Sequence, residues 1–356
     1  MVKPHAPVLS LLMTVACATL PCAAPASPAS PATAGATTPD RVQLKDGSVL
    51  FGTVVDADDG KVIMKTAFAE AVKIPQAMIE SLRTETPMRL QFADGRVLES
   101  SPIVVRDEQL LLGGGEEEAS YSFADLVRVN PEPWELGEGY HWTGLASAGL
   151  SLAQGNTENS ELDYKAESTW TGLHDRFSLS LIGEYDEVNG RKNAQNWIAR
   201  GKYDQFLNGS PWYTGANLSF EQDEFADTEL RSYVGPYLGR KVFTDPLLTL
   251  EAEGGIAYVW EEFFVAEDND YPAATWTLTA SSDYLGDNTR LYFNQTGLWG
   301  LTDEGDVLLN STAGLSFPLI LNIEGSAEVI WKYDLGAVEN VEKLDQTYRF
   351  RLGYRW

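Results

Sequence analysis

Beyond residue 5 the chain carries two imidazoles, His141 and His174, and imidazole is the side chain best suited to proton transfer near neutral pH. A hydrolase would need one of them beside a serine or an acid within hydrogen-bond reach. Spacing puts no such partner next to either ring, and His141 is followed only by Thr143. The expectation is therefore no enzyme, no catalytic residue and no cofactor, with a hydrolase as the least supported alternative.

Carboxylates offer a second chemistry. Glu221, Asp223, Glu224 and Asp227 crowd one stretch without a basic residue, and Glu261, Glu262, Asp268 and Asp270 crowd another. Clustered carboxylates on flexible chain suit hard divalent cations, which take oxygen ligands. Both stretches read as exterior loops that bind cations. Neither contains a twelve-residue calcium loop, so no defined metal site is assigned, and a hydrated acidic rim is the plain alternative.

Such loops need elements to carry them. From about residue 140 onward, runs of roughly 10 residues alternate apolar and polar side chains between Gly, Asn, Asp and Pro turns, the pattern of strands with lipid on one face and water on the other. The last run is clearest: Tyr348, Phe350, Leu352, Tyr354 and Trp356 share one face, while Arg349, Arg351 and Arg355 share the other. Further strands start near 142, 162, 176, 193, 212, 230, 248, 275, 289, 307 and 321. That makes twelve, and an even number closes an antiparallel barrel without an unpaired edge. Tight turns are expected at 171–175, 208–211, 244–246, 286–288 and 318–319, and longer exterior loops at 186–192, 222–228, 261–272, 302–306 and 334–343. Aromatics such as Trp142, Trp170, Trp212, Tyr258, Trp260 and Trp299 fall near strand ends, where amphipathic rings favour the membrane interface. A soluble β-sandwich also alternates, but it does not require an aromatic terminal strand with charges on one face only.

The same alternation directs Asp163, Lys165, Glu167, Arg200, Lys202, Glu251, Glu253, Asp283, Glu324, Glu328, Arg349 and Arg351 into the lumen. Opposite charges there either brace the wall or line a narrow polar path.

Upstream, Val42 to Leu50 and Leu90 to Leu98 nearly repeat each other, each with an Asp-Gly turn between alternating apolar residues, a strong hairpin signal. Later runs at 61–66 and 109–113, and at 72–82 and 121–129, complete two copies that resemble SH3-like or Sm-like modules. Neither copy is large enough for its own sizeable core, so pairing is the expected solution. The organisation reads as a signal peptide over 1–26, an Ala/Pro-rich linker over 27–40, a periplasmic β domain of two repeats over 41–130, a linker over 131–139 and a barrel over 140–356. The leader has a short apolar run at 8–18 and contains both cysteines, Cys17 and Cys22. No uncharged apolar run of about 18 residues exists, which excludes membrane-spanning helices. With 52 acidic and 26 basic residues, the formal net charge is -26, which argues against nucleic acid as a partner.

The first hairpin, Trp142-Thr143-Gly144 through Gly149-Leu150-Ser151 to Gly155-Asn156-Thr157, and the closing Tyr354-Arg355-Trp356 resemble the salt-induced outer membrane proteins, the family of domain of unknown function 481. The resemblance covers about residues 142–356. It implies an outer-membrane barrel, lipid as its surroundings, and a terminal Tyr354 and Trp356 that act as the signal read by the barrel-assembly machinery. The family has no settled activity. A structural or narrow ion-conducting barrel in salt or osmotic adaptation is the first reading, with cations as permeants. The second is an adaptor that binds a periplasmic protein or the cell wall through 41–130, and the third an outer-membrane hydrolase.

Overall fold

The computed structural model describes residues 39–58, 60–69, 71–84, 86–113, 119–153, 159–245, 247–286, 289–302, 307–336 and 342–356. The expected signal peptide with both cysteines, and the linker up to residue 38, lie outside the described residues. The chain divides into two units, Met1–Asn130 and Pro131–Trp356.

In the first unit, one copy of the repeat runs through β1 (Asp40–Leu44), β2 (Val49–Asp58), β3 (Lys61–Lys65), β4 (Val72–Pro75), a single 3-10 turn at Gln76–Met78 and β5 (Ile79–Thr84). The second runs through β6 (Met88–Phe92), β7 (Val97–Ser100), β8 (Ile103–Arg106), β9 (Gln109–Leu112), β10 (Ala119–Ser122), a matching 3-10 turn at Phe123–Asp125 and β11 (Leu126–Val129). The long second strand of the first copy is thus broken into two in the second. The Asp-Gly turns are built alike. Gly47 and Gly95 take φ of 86° and 83°, a conformation cheap only for glycine. Asp46 Oδ1 accepts from Ser48 N at 2.8 Å and Asp94 Oδ1 from Arg96 N at 3.0 Å. These backbone donors hold both carboxyls below the ordinary aspartate range.

The copies are not separate. β5 pairs antiparallel with β8, from Ser81↔Arg106 to Thr84↔Ile103, giving an eight-stranded sheet ordered β10-β9-β8-β5-β1-β2-β3-β4 beside a three-stranded β11-β6-β7. One hydrophobic cluster, with Val42, Val54 and Leu82 from the first copy and Leu90, Val105 and Leu126 from the second, fills both.

The second unit opens with a 3-10 turn at Pro133–Leu136, capped reciprocally by Glu132 and Glu135. Twelve strands follow: β12 (His141–Ala153), β13 (Asn159–Thr171), β14 (Asp175–Val188), β15 (Arg191–Phe206), β16 (Trp212–Asp223), β17 (Thr228–Asp245), β18 (Leu248–Phe263), β19 (Asn269–Ser282), β20 (Arg290–Gly300), β21 (Val307–Ile320), β22 (Ile323–Asp334) and β23 (Leu344–Arg355). Each pairs antiparallel with the next, and β23 returns to β12, so the expected twelve-stranded barrel is closed.

Several loops differ from expectation. The acidic and basic run at 186–192 is mostly strand. β14 and β15 are joined by Asn189 and Gly190 alone, at φ 51° and 73°, the two-residue turn whose twist matches a hairpin. The expected loop at 261–272 shrinks to 264–268, because β18 continues to Phe263 and β19 begins at Asn269. Pro272 sits inside that ladder opposite Tyr258. The turn expected at 318–319 falls at Leu321 and Asn322, both at positive φ.

Candidate functional site

Alternation sets the two faces of the barrel wall. Trp142, Leu179, Val234, Ile256 and Phe350 point outward and are exposed, as an apolar belt against lipid requires. Trp142 stacks on Trp170 with ring centroids 6.4 Å apart, and its indole N–H donates to Ser168 Oγ at 2.7 Å. Inward positions carry an apolar cluster of Val259, Tyr271, Ala273, Leu298 and Leu308 and most of the charges of the wall, which gather in three groups.

Nearest the turns at 172–174 and 207–211, Arg176 on β14 bridges Asp204 at 2.6 Å and Glu251 at 2.9 Å. Lys202 on β15 meets Glu253 on β18 at 2.6 Å. Two tyrosines lock these acids: Tyr213 donates to Glu253 at 2.9 Å, and Tyr237 donates to Asp204. Tyr213 and Tyr237 fit because Gly239 and Gly215, on each other's strands, leave room that a Cβ would fill.

Midway along the wall, Arg349 on β23 bridges Asp163 on β13 at 2.5 Å and also Glu184 on β14. Arg351 pairs with Glu328, which Lys165 approaches at 3.6 Å and to which Tyr292 donates at 2.6 Å. Nearer the 172–174 turn, Arg355 holds Glu324 through two bonds of 2.6 and 2.8 Å.

At the opposite end, Arg231 on β17 gathers Glu261 at 2.5 Å, Asp334 at 3.3 Å and Glu221 at 3.8 Å. Lys332 on β22 reaches Asp223 on β16 at 3.5 Å. In a ring of twelve, β16 and β22 stand six strands apart, so this pair crosses the full diameter. Arg231 to Asp334 spans five. Between these side chains lie cavities of about 50 Å³ and about 20 Å³, room for a few waters at most. Chemically, such a constellation braces opposite walls. Removing one member would strand its partner's charge away from bulk water, at a cost of about 3–5 kcal/mol.

Residues 146–356 match the family described as "Protein of unknown function, DUF481". The chain belongs to the DUF481 family. No similar sequence was found among curated proteins. Among solved structures, the DUF481 chain is similar to the translocator domain of the autotransporter NalP from Neisseria meningitidis, at 14% identity over 60% of this chain and 88% of that one, with a TM-score of 0.35. It is also similar to the NanC porin, at 10% identity over 59% and 97% of the two chains, with a TM-score of 0.38.

Of the lumen residues read from the DUF481 sequence, Asp163, Lys165, Glu167, Lys202, Glu251, Glu253, Glu324, Glu328, Arg349 and Arg351 lie on inward faces and in ion pairs. Arg200 also faces inward, with its Nε buried and without a hydrogen-bond partner. Asp283 does not line the wall: it lies in the turn after β19 and meets Arg290 at 3.4 Å.

The residues expected in the exterior cation loops divide between strands and the connections that carry Glu224, Asp227 and Asp268. Glu221, Asp223 and Glu261 are strand residues pointing inward, neutralised by Arg231 and Lys332. Glu262 sits on β18, and Asp270, on β19, accepts from Tyr258. Glu224 pairs with Lys192 at 2.7 Å. Asp227 and Asp268 accept backbone N–H groups of Ala266 and Phe263. Among the described residues no group of three or more His, Cys, Asp or Glu side chains is arranged to hold a metal ion.

Sequence reading missed Arg176, Glu184, Asp204, Arg231 and Asp334 as lumen residues. Continuing the period of two to both ends of each strand would have found them. His141 Nδ1 lies 3.6 Å from Glu132 at the start of β12, and His174 occupies the turn before β14, where its carbonyl accepts from Phe206 N at 2.8 Å.

Proposed function

We propose that this DUF481 protein is an outer-membrane protein whose barrel is a charge-braced structural body and not an open pore. The observation that carries this reading is the bridge from Lys332 to Asp223 across the whole diameter, flanked by Arg231 and its three carboxylates. Side chains joined across the axis occupy the space a hydrated ion would need. The outward apolar belt and the closed ladder support lipid as the surroundings, since only a closed barrel satisfies every strand edge in hydrocarbon. The chain enters β12 at the end that carries the 172–174 turn, which supports a periplasmic position for the tandem repeats when short turns face that side. Tyr354 and Trp356 support recognition by the assembly machinery. A part in salt adaptation rests on the family resemblance alone.

Planar-bilayer recording of the refolded full chain tests the reading. Wild type is expected to give no steady conductance, and a variant combining Arg231→Ala with Lys332→Ala is expected to conduct. Stable, cation-selective current through the wild type would instead make the barrel a narrow channel.

A further inference from the structure

Charge is distributed unevenly over the eight-stranded sheet of the repeat unit. β8, β5, β1 and β2 lie side by side in it, and their registers line up two rows of outward positions. One row runs Val104↔Arg83, Arg83↔Arg41 and Arg41↔Phe51, and the next runs Arg106↔Ser81, Ser81↔Gln43 and Gln43↔Val49. Neighbouring strands stand about 4.8 Å apart, so each row crosses roughly 14 Å. The three arginines are exposed, and Phe51 is 57% exposed. Neither row contains an acid, in a chain with 52 acidic and 26 basic residues. Glu80, the residue that the β1–β5 register skips, lies at the margin and accepts from Gln43 Nε2 at 2.9 Å.

Arg41 and Arg83 face each other directly, an arrangement that weakens a ladder. Among the described residues no carboxylate pairs with Arg41, whose Nη2 donates to Gln43 Oε1 at 2.9 Å. The second copy supplies the comparison. There Arg89 stands opposite Glu99, at the positions that Arg41 and Phe51 hold in the first copy. The second copy thus balances its arginine, whereas the first sets an open aromatic ring beside it. Arg106 comes from the second copy and reaches this face only because β8 pairs with β5. Both copies are therefore needed to assemble the three arginines. Guanidinium forks bind carboxylates through paired bonds, and an exposed aromatic ring offers an apolar surface for a sugar ring to cover. All three cations are arginines, a choice that attraction to an anionic lipid surface does not demand, since lysine serves there equally well.

We propose that this face docks a glycan whose sugars carry carboxylates, with the acid groups on Arg41, Arg83 and Arg106 and a sugar ring over Phe51. In the cell such a polymer would be met in the periplasm, so the proposal rests on the periplasmic position of the repeats proposed above.

The test uses the refolded full chain in uncharged detergent, with labelled polygalacturonate as the probe. At a formal net charge of -26 the molecule as a whole repels a polyanion, so binding reports a local basic face. Polygalacturonate is expected to bind and uncharged dextran is not. The Arg41→Ser, Arg83→Ser variant is expected to bind about tenfold or more weakly. Phe51→Glu, which reproduces the balanced pair of the second copy, should lose binding to a similar degree. Arg89→Ser removes a charge of the same kind outside the two rows and should leave binding unchanged. An equal loss in Arg89→Ser overturns the assignment, and so does a wild type that fails to bind or a double variant that binds as well as wild type. Displacement of the polymer by phosphatidylglycerol mixed into the micelle would make the face one for a lipid surface and overturn the glycan. Cleavage of the repeats by protease added to intact cells would instead overturn their periplasmic position, a result distinct from any loss of polymer binding in detergent.

Discussion

Arg231 is the side chain on which most depends at one end of the barrel. Its guanidinium serves Glu261, Asp334 and Glu221 at once, and Arg can do so because its donors lie in a rigid planar fork. Replacing it by Ala leaves three carboxylates facing one another with little water. The expected loss is about 3–5 kcal/mol, read as a lower urea midpoint of the refolded barrel, with Arg231→Lys falling in between. Asp46 and Asp94 give a milder, pH-dependent case. Their carboxyls are held below the ordinary range by backbone N–H donors, so what they add is present at neutral pH and fades as pH falls below about 4 through their folded values. The isolated repeat unit, residues 39–130, should therefore lose thermal stability on acidification. The Asp46→Asn, Asp94→Asn variant should show a shallower decline, and an unchanged pH profile would contradict the assignment.

Single strands are positioned by interlocked rings and glycines. Tyr213 covers Gly239 while Tyr237 covers Gly215, and each hydroxyl then binds an acid on a further strand. Gly239→Ala would drive a methyl into the Tyr213 ring, displace its bond to Glu253 and weaken the β16–β17 ladder. The expected cost is about 1–3 kcal/mol, measurable as earlier unfolding on heating. At this scale the sequence was most readable. Ten of the strands begin within a few residues of their expected starts, because a period of two repeated over some 10 residues is hard to produce otherwise. Legibility failed at β19, where acids and Pro272 look like loop but lie on an edge-tolerant stretch of ladder. It failed again at 186–192, where the Asn-Gly pair, and not the surrounding charge, decided the turn. Ion partners were not legible. Arg231 and Asp334 are 103 residues apart, and only barrel closure brings them together.

The whole molecule joins two all-β solutions to one problem, the unpaired strand edge. The barrel removes its edges by closing. The repeat unit instead zips β5 of one copy to β8 of the other and fills both with one core. Expressed alone, residues 39–84 should remain unfolded while 39–130 should fold, a contrast that circular dichroism and thermal melting would reveal. A stably folded 39–84 fragment would mean that the copies are independent after all.

That shared core also restricts how such a protein can change. A duplicated segment ordinarily leaves one copy free to drift, but here a lesion in either copy opens the interior of both. The pair must therefore be inherited, lost or grafted elsewhere as one indivisible cassette, and the line at which it can be cut cleanly is the one after Asn130.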